Sequence, residues 1–598
     1  MEMEENTQSS PSKIIPYVHL LVGLALIYFV SSQAHGIFQF FSKSADPHIV
    51  EAFFTISLIC LLSFGIFYIS HGTPIPSFVI AIFFGMAAKQ LLEPITHETI
   101  LLGGIVGFGA TLILFGGGLE TPWKNFRKLL GRILSLSFIG LFLTALLFSL
   151  TVIFLGNAFG VYVPITVAIL LGAILASTDP AAIIPILKEL RFNNRDTKDI
   201  IVSESAVTDV TGTLLTVIFL SLIMNGAAFV GVIPGYQSLF NTETTLVLLK
   251  QLFYGVAFGV VGYTLLETLN RFKRGHEKEF EVDAAFFFFV PIIIFTIALA
   301  FGGSGYLAAF ITGLLFVITE NLHLTEKFFN QTIDGFLKPT IFLLLGALVE
   351  IDSLIAFAGV GLIAALIFMF VIRPIAVFLT LGPFSFIGEN RLGWRDLLFI
   401  SFVRETGAIP AVLLVTVISL GIPNLDGLVP IGMWVILATL IIQPPLTPYI
   451  AKLLKIATPI RDDKSLQISP ENEPCVILGS RGNSYKNRLP HVADWATDHG
   501  IKRVMLLHCL ENDYTSERAE EINIDAESEF AKINKEREMR GKLPIKFIFT
   551  GRTGFLQKNI DELSRNQAKV TAIFVGKKVL DYRLEDIKEL AVPLYFLP

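Results

Sequence analysis

The chain has few charged residues and few cysteines, and both shortages limit the classes of protein to which it can belong. Charged residues make up 16% of its 598 residues, whereas 53% are hydrophobic; a soluble protein of this size carries more charge. The three cysteines, Cys60, Cys475 and Cys509, show neither disulfide nor metal-ligand spacing. The small net charge of -5 gives no argument for nucleic acid as a partner. With no nucleophile–base constellation and no ATP-hydrolysing motif, the sequence does not point to an enzyme or a primary pump.

The hydrophobic residues form long blocks that end near Lys455, after which charged residues return. A membrane-spanning helix needs about 20 mostly apolar residues, and the blocks divide into two sets of seven such stretches. We therefore predict an α-helical polytopic membrane domain at 15–456, preceded by a polar tail at 1–14 that is unlike a signal peptide. A linker at 457–474 leads to a soluble α/β domain at 475–598. The predicted spans are 15–34, 50–71, 75–92, 98–119, 131–155, 161–187, 199–223, 245–266, 283–300, 303–319, 332–350, 355–381, 396–419 and 428–453.

Basic residues are distributed unequally between alternate loops. They cluster around 124–132, 188–198 and 271–278, whereas the long loop 225–244 has none. Short loops rich in lysine and arginine face the cytoplasm. The asymmetry predicts a multi-pass protein of the plasma or inner membrane with both termini in the cytoplasm.

The two sets of seven spans are similar to one another. Residues 114–120 recur as 344–350, an offset of about 230 residues, and the stretch 178–180 has a partner at 406–410 at nearly the same offset. Because each set has an odd number of spans, the copies must be inverted in the membrane. Inverted repeats with interrupted helices in matching positions indicate the midplane site of a secondary transporter.

The first interruption follows Ser177, at Thr178, Asp179 and Pro180, inside a run that is otherwise apolar. Proline breaks the helix and frees backbone groups, which then need partners in protein or in a water-filled cavity. Thr178 could offer an oxygen to a cation, and Asp179 could neutralise the amide end of the following half-helix. A simple proline kink with Asp179 at a cytoplasmic helix end is the alternative.

The next span carries the strongest candidate site. Ser205 and Asp209 are four residues apart, as are Glu204 and Thr208, so each pair shares a helix face. A carboxylate inside the membrane is a functional hypothesis by default, since it can bind a proton or exchange it for a cation. Ser205 and Thr208 supply oxygen ligands suited to an alkali cation. We therefore predict Asp209 as the carrier of proton or cation, in a site completed by Ser205, Thr208, Thr178 and Asp179.

Glu204 is a poorer candidate for the exchanging acid, and we expect it to pair with a buried cation. The chain supplies two, Arg373 and Arg404, and an arginine left unpaired at this depth would be unstable. Either arginine is a candidate partner. Arg404 could instead reach the cytoplasmic surface or pair with its neighbour Glu405. The residues predicted to support the helix crossing or the site are Arg404, Glu405, Thr406 and Pro180.

In their order, these motifs resemble the monovalent cation:proton antiporter superfamily, specifically its sodium/proton exchanger branch, over residues 15–456. The matching features are the end of the fourth span at 114–119, the break at 178–180, the run 204–209 and the helix of Arg373. The resemblance implies that Asp209 carries proton or cation and that Glu204 pairs with Arg373. It also implies a mobile core domain against a dimerisation domain, and hence a homodimer.

The chain departs from the family pattern at two positions. Thr208 stands where electroneutral exchangers usually have asparagine and electrogenic relatives have aspartate, and Gly116 stands where the branch often has glutamate. A single titratable group at 208–209 favours one proton per cation and therefore electroneutral exchange. The missing glutamate leaves cation selectivity and the proton path open.

The C-terminal segment alternates short apolar strands with amphipathic helices, which predicts a doubly wound α/β domain with a mainly parallel sheet. The domain resembles a universal-stress-protein domain, which implies possible binding of an adenine nucleotide. However, 479–482 is too short for a phosphate-binding fingerprint, so a regulatory or dimer-stabilising role is the main expectation. The predicted strands are 475–479, 503–509, 545–550, 570–576 and 593–597.

Three functions compete for this sequence: a secondary antiporter, a cation channel and a membrane sensor. Paired interruptions in inverted repeats favour alternating access over a channel, and a sensor would not need Glu204 or Asp209 in lipid. We predict an antiporter that exchanges a monovalent cation for protons, with sodium as the first candidate, lithium also possible and potassium as the alternative. The expected partners are these ions, protons, membrane lipid and a second copy of the chain, without nucleic acid.

Overall fold

The structure is a computed structural model of the chain. It describes residues 15–43, 46–70, 73, 75–121, 123–177, 186–187, 190–274, 285–318, 322–386, 391–459, 474–480, 485–510, 516–553, 570–576 and 593–597. The chain divides into a larger unit of helices and a smaller unit that holds the sheet from Cys475 onward.

The larger unit is helical almost throughout its described residues. Its first half contains α1 (Ile15–Ser32), α2 (Ala34–Phe41), α3 (Pro47–Ser70), α4 (Ser77–Ala87), α5 (Lys89–Thr96), α6 (Thr99–Glu120), α7 (Trp123–Leu134), α8 (Leu141–Phe159), α9 (Ile165–Leu175) and α10 (Arg195–Met224). Its second half contains α11 (Val232–Gln237), α12 (Thr242–Arg274), α13 (Ala285–Ala300), α14 (Gly305–Leu315), α15 (His323–Thr332), α16 (Lys338–Ala347), α17 (Ile351–Ala356), α18 (Ala358–Ile367), α19 (Arg373–Leu381), α20 (Trp394–Phe402), α21 (Ala408–Ser419) and α22 (Leu428–Leu453).

Short irregular elements complete this part of the chain. Single π-helical turns join α7 to α8, α15 to α16 and α18 to α19, and two 3-10 turns follow α11 and α19. Two three-residue strands, β1 and β2, lie before α10 and after α22. The bounds of these elements are Ser135–Gly140, Ile333–Leu337, Phe368–Ile372, Ser238–Phe240, Gly382–Phe386, Leu190–Phe192 and Ala457–Pro459.

Each of the fourteen predicted spans contains helix within the described residues, but not all of these helices are long. Within the described residues, seven helices are long and apolar enough to cross a membrane, and nine are if each sharply bent pair is one span. One bent pair corrects the predicted span 75–92: α4 and α5 meet at Ala88 with a bend of 90°. Four further apolar helices, α9, α13, α14 and α21, have only 10–17 residues. The bent pairs and these four short helices account for six of the seven predicted spans that are not single long helices, and the seventh, 332–350, falls on the ten-residue α16 and the π-helical turn before it.

Two helix crossings in the larger unit are related to one another by a fixed offset. A Cβ on Gly85 would lie 2.0 Å from the Leu343 carbonyl oxygen, and one on Gly346 would lie 2.2 Å from that of Ile82, so α4 and α16 touch backbone to backbone. Helices α6 and α14 touch in the same way, with both distances 2.3 Å, through Gly118 against Phe310 and Gly313 against Phe115.

The residues of the two crossings correspond to one another at an offset of 228 positions. Gly85 corresponds to Gly313 and Gly118 to Gly346, and adding 228 to the bounds of α4, 77–87, gives those of α14, 305–315. Such contacts need small residues at the interface. The two halves of the chain thus repeat the same packing contact at an offset of 228 residues. This offset is two residues shorter than the one between 114–120 and 344–350.

The smaller unit contains a five-stranded sheet in which every pair of neighbours is parallel, in the order β5-β4-β3-β6-β7. Alternate residues of the strand Cys475–Ser480 face opposite sides of the sheet. Val476 and Leu478 pack with the two described helices of this unit, whereas Ile477 belongs to a separate hydrophobic cluster on the other face. The predicted parallel α/β domain is confirmed. Its elements are β3 (Cys475–Ser480), α23 (Tyr485–Asp498), β4 (Arg503–Leu510), α24 (Ser516–Met539), β5 (Lys546–Thr553), β6 (Val570–Gly576) and β7 (Leu594–Leu597).

Candidate cation-binding site

One face of α10 borders a cavity of about 50 Å³. The helix begins where the side chain of Asn194 accepts a hydrogen bond from the Asp196 amide, an N-cap that satisfies one free donor. Further along, the cavity-lining residues recur at the spacing of a single helix face. They are Val202, Ser205, Ala206 and Asp209.

The opposite walls of the cavity come from α6 and from the α15–α16 region. These helices place charged groups, Glu120, Asp334 and Lys338, on the same cavity as Asp209. Glu120 is exposed, whereas Asp209 is only 7% exposed. A space of this size can hold a few water molecules. The cavity therefore connects a buried carboxylate with charged groups near the protein surface.

Asp209 is held by a residue that lies just beyond the end of α9. The Ser177 hydroxyl donates a 2.6 Å hydrogen bond to Oδ1 of Asp209. Gly212, less than one turn further along α10, makes the approach possible, because a Cβ there would lie 2.7 Å from the Cβ of Ser177. The short α9 thus ends against the middle of α10, at the predicted carrier.

The other predicted ligands differ in whether they line the cavity. Ser205 is buried and lines the cavity with Asp209. Thr208 is fully buried and does not line the cavity; its hydroxyl donates to the carbonyl oxygen of Ser205 at 2.9 Å. The predicted site residues Thr178, Asp179 and Pro180 lie outside the described residues.

Glu204 lies on another side of α10, between two arginines. Its Oε1 is 3.8 Å from Nη2 of Arg373, and its Oε2 contacts Nη2 of Arg404 directly. All three side chains are 0% exposed. Arg404 therefore does not extend to the surface, and Glu204 lies near both of the cations that the sequence offers as partners. Charges buried at this depth are stable only when paired.

Arg404 belongs to an interruption between α20 and α21 that is buried along its whole length, residues 403–407. Side chains of α22 satisfy its backbone: the Thr406 amide donates to Oγ1 of Thr439 at 3.2 Å, and Nε2 of Gln443 donates to the Phe402 carbonyl at 2.8 Å. The hydroxyls of Thr406 and Thr439 also lie 2.5 Å apart. A broken helix is tolerated within a membrane only when its free groups find such partners.

Glu405 lies in the same interruption and is fully buried. It follows Arg404 directly, so the buried region holds two acids and two arginines: Glu204, Glu405, Arg373 and Arg404. The predicted supporting residues of the second break are thus brought close to α10, since α21 and α20 both pack against that helix.

Several residues that line the cavity or bind Asp209 are absent from the predicted site. Ser177 stands next to the predicted break, and its hydroxyl beside an aspartate-containing motif was the available signal. Asp334 and Lys338 are four residues apart at the start of a predicted span, a spacing typical of an ion pair. Glu120 ends the segment that identifies the repeat. No local pattern connects these residues to Asp209, because the contact depends on the packing of three separate helices.

A polytopic helical domain with a buried carboxylate beside a small cavity, and with a short helix ending at that carboxylate, has the architecture of a secondary transporter. Sequence comparison identifies the type. The family described as sodium/hydrogen exchanger, transmembrane, matches residues 54–453, and the chain belongs to this family. The predicted class is confirmed: the chain is a multi-pass membrane cation/proton antiporter and not an enzyme.

Individual relatives agree with the family. The K(+)/H(+) antiporter NhaP of Alkalimonas amylolytica is 27% identical over 423 residues, which cover 69% of this chain and 67% of that protein. The K(+)/H(+) antiporter NhaP2 of Shewanella oneidensis is 27% identical over 376 residues, covering 62% of this chain and 61% of that protein. The alignments thus leave about a third of the first relative and about two fifths of the second unmatched.

The fold has a counterpart among solved structures. The sodium proton antiporter MjNhaP1 from Methanocaldococcus jannaschii superimposes with a TM-score of 0.53 at 23% sequence identity, covering 68% of this chain and 99% of that protein. At this identity the similarity concerns the fold. The predicted antiporter fold of the membrane domain is confirmed by this match.

Proposed function

We propose that the chain exchanges a cytoplasmic monovalent cation for protons by alternating access, with Asp209 as the group that carries either ion. The observation that supports this most strongly is the position of Asp209. It is a buried carboxylate, hydrogen-bonded to Ser177, at the end of a cavity that reaches the exposed Glu120. An acid of this kind is expected to be functional rather than structural.

In the proposed cycle, Asp209 releases its proton into the cavity and binds the cation in its place. Ser205 offers an oxygen from the same helix face, and the hydroxyl of Ser177 fixes one carboxylate oxygen. Thr208, Thr178 and Asp179 are the further proposed ligands or supports. Because one acid at 208–209 exchanges one proton for one cation, the proposed exchange is electroneutral.

Glu204 takes a structural role in this proposal. Its contacts with Arg373 and Arg404 connect α10 with α19 and with the break after α20. A neutralised charge cluster next to the carrier would keep α10 in register without competing for the cation. Glu405, Thr406 and Pro180 are proposed to support the same crossing.

The orientation and the smaller domain are part of the same proposal. Glu120 precedes the basic loop 124–132, so the cavity is proposed to open to the cytoplasm, where both termini also lie. The domain at 475–598 follows a linker at 457–474 and is proposed as a cytoplasmic, universal-stress-protein-like regulatory domain, with a nucleotide as a possible ligand. A homodimer is the proposed assembly.

Two cations are candidates. Sodium is the first candidate because the antiporter motifs resemble the sodium/proton exchanger branch. Potassium is the second, and the observation that favours it is that both relatives described above are named K(+)/H(+) antiporters. Sodium, lithium and potassium added in turn to proteoliposomes, with proton flux followed by dequenching of a pH-sensitive dye, would decide between them.

The same assay tests the carrier. Asp209→Asn should abolish cation-dependent proton movement while the protein still inserts and purifies as a folded species. Asp352→Asn, a change of the same kind at an exposed position in α17, is the matched control and should retain transport. Full activity of the Asp209→Asn variant would refute the proposal.

A further inference from the structure

Lys338 and Asp334 form an ion pair on the cavity that reaches Asp209, and the proposed mechanism does not use it. The Lys338 ammonium lies 2.8 Å from Oδ1 of Asp334. The two side chains differ in depth: that of Lys338 is 11% exposed, whereas that of Asp334 is 55% exposed. Lys338 therefore lies on the inner side of the pair, and Asp334 lies towards solvent.

The local backbone accounts for this arrangement. Asp334 lies in the π-helical turn Ile333–Leu337, and Lys338 is the first residue of α16. A single π-helical turn shifts the side chains that follow it and often occurs at functional sites. Here it places both members of the pair on the cavity, across from Ser205 and Asp209.

A lysine in this position repels any cation that enters the cavity. Its ammonium carries the same charge as the transported ion and borders the same space of about 50 Å³. Two like charges in a partly buried space repel each other more strongly than they would in water. Among the described residues, the other charged groups on the cavity are acids, Glu120 and Asp334 at its outer side and Asp209 at its inner side.

We propose that Lys338 determines the affinity of the Asp209 site for its cation, as a tethered positive charge whose strength is set by pairing with Asp334. This inference rests on the proposed exchange at Asp209. In this view Lys338 sets the affinity without binding the ion, because its charge opposes cation entry. Asp334 holds the ammonium towards solvent and so lowers the barrier to entry.

The test is a double-mutant cycle in proteoliposomes, with initial rates measured over a range of sodium and potassium concentrations at one alkaline pH. Lys338→Gln should lower the KM for the transported cation by about threefold to tenfold, the effect expected from losing one nearby like charge. Asp334→Asn should raise the KM, since the ammonium loses its partner. The double variant should return close to the wild-type KM because the two removed charges cancel.

Two further variants separate charge from structure. Lys338→Arg keeps the charge and should keep a KM near that of the wild type. Lys89→Gln removes a lysine that pairs with Glu350 at 3.8 Å and does not line the cavity, and it should not change the KM. If Lys338→Gln and Lys338→Arg shift the KM equally, or if both single changes of the pair shift it in one direction, the inference is wrong. Absence of cation-dependent flux in the wild type would instead overturn the proposed function itself.

Discussion

Ser177 donates a 2.6 Å hydrogen bond to Asp209, and this bond joins the end of α9 to the middle of α10. Both side chains are buried. A hydrogen bond to a charged group contributes more than one between neutral groups. The position of the carboxylate therefore depends on where the short helix ends, so that a movement of α9 would be transmitted directly to the proposed carrier.

Ser177→Ala should weaken cation binding without preventing folding. Loss of a hydrogen bond to a charged group is worth roughly 1.5–3 kcal/mol, so we expect the KM for the cation to rise about tenfold or more. The measurement is the cation dependence of proton flux in proteoliposomes. Ser203→Ala is the control, because Ser203 is a buried serine of α10, the helix of Asp209, and does not line the cavity. Equal KM values for the two variants would contradict a role for the Ser177 bond.

Glu204→Gln should lower the folded yield, because it leaves Arg373 and Arg404 buried with one acid fewer. Removing one partner of a buried charge pair destabilises a protein by about 3–5 kcal/mol. Yield of monodisperse protein and thermal stability in detergent are the measurements. Adding Arg373→Met to the Glu204→Gln variant should restore part of the loss, since it rebalances the buried charge. Strictly additive losses would show that the residues do not interact.

Gly118→Ala should destabilise the membrane domain, because a Cβ there would lie 2.3 Å from the backbone oxygen of Phe310. Gly346→Ala should cost a similar amount, since Gly346 makes the equivalent contact in the other crossing. Gly104→Ala is the control on α6: nothing lies within 4 Å of its Cβ position, and alanine within a helix is favoured by about 0.5–1 kcal/mol. The melting temperatures should therefore shift in opposite directions.

The smaller domain should become less stable in acid. Hydrogen bonding from Lys486 lowers the pKa of Asp525 below its usual value of 3.8, despite an opposing effect of burial. A carboxyl whose pKa is lowered on folding stabilises the fold above its usual pKa, and this contribution disappears as the pH falls through the lower value. The effect is small because both side chains are partly exposed.

Hydrogen exchange of 485–498 and 516–539, compared between wild type and Asp525→Asn at each pH, measures this effect. The variant should exchange faster at pH 7, and the difference should begin to shrink only near the usual aspartate pKa of about 3.9 and vanish below the lowered pKa of Asp525. Asp498→Asn, at an exposed position of α23, should behave as the wild type throughout. A difference that persists in acid would exclude the ion pair as its source.

Much of the fold could be predicted because its signals are local. Strands β3 to β7 follow from short apolar runs between polar segments, and the face of α10 with Ser205 and Asp209 follows from helical spacing. A break near Thr406 follows from glycine and proline within an apolar run, although the interruption lies at 403–407 and Pro410 belongs to the first turn of α21. These features depend on a few neighbouring residues, which a single sequence contains.

Other features depend on contacts between distant residues. The 90° bend at Ala88 occurs at neither glycine nor proline, so no residue at the bend signals it. Thr439 and Gln443 look like ordinary polar residues of a long helix, yet they satisfy the backbone of another one. The burial of Arg404 could not be predicted either, because an arginine beside a glutamate is equally typical of a helix end at the membrane surface.

The repeat register of 228 residues also shows where the two halves have diverged. Under that register, Ser177 corresponds to Glu405 and Asp209 corresponds to Leu437, so the hydroxyl–carboxylate pair of one half is an acid and an aliphatic residue in the other. The proposed carrier thus belongs to one half of the repeat alone, and the matching positions of the other half offer no hydroxyl–carboxylate pair.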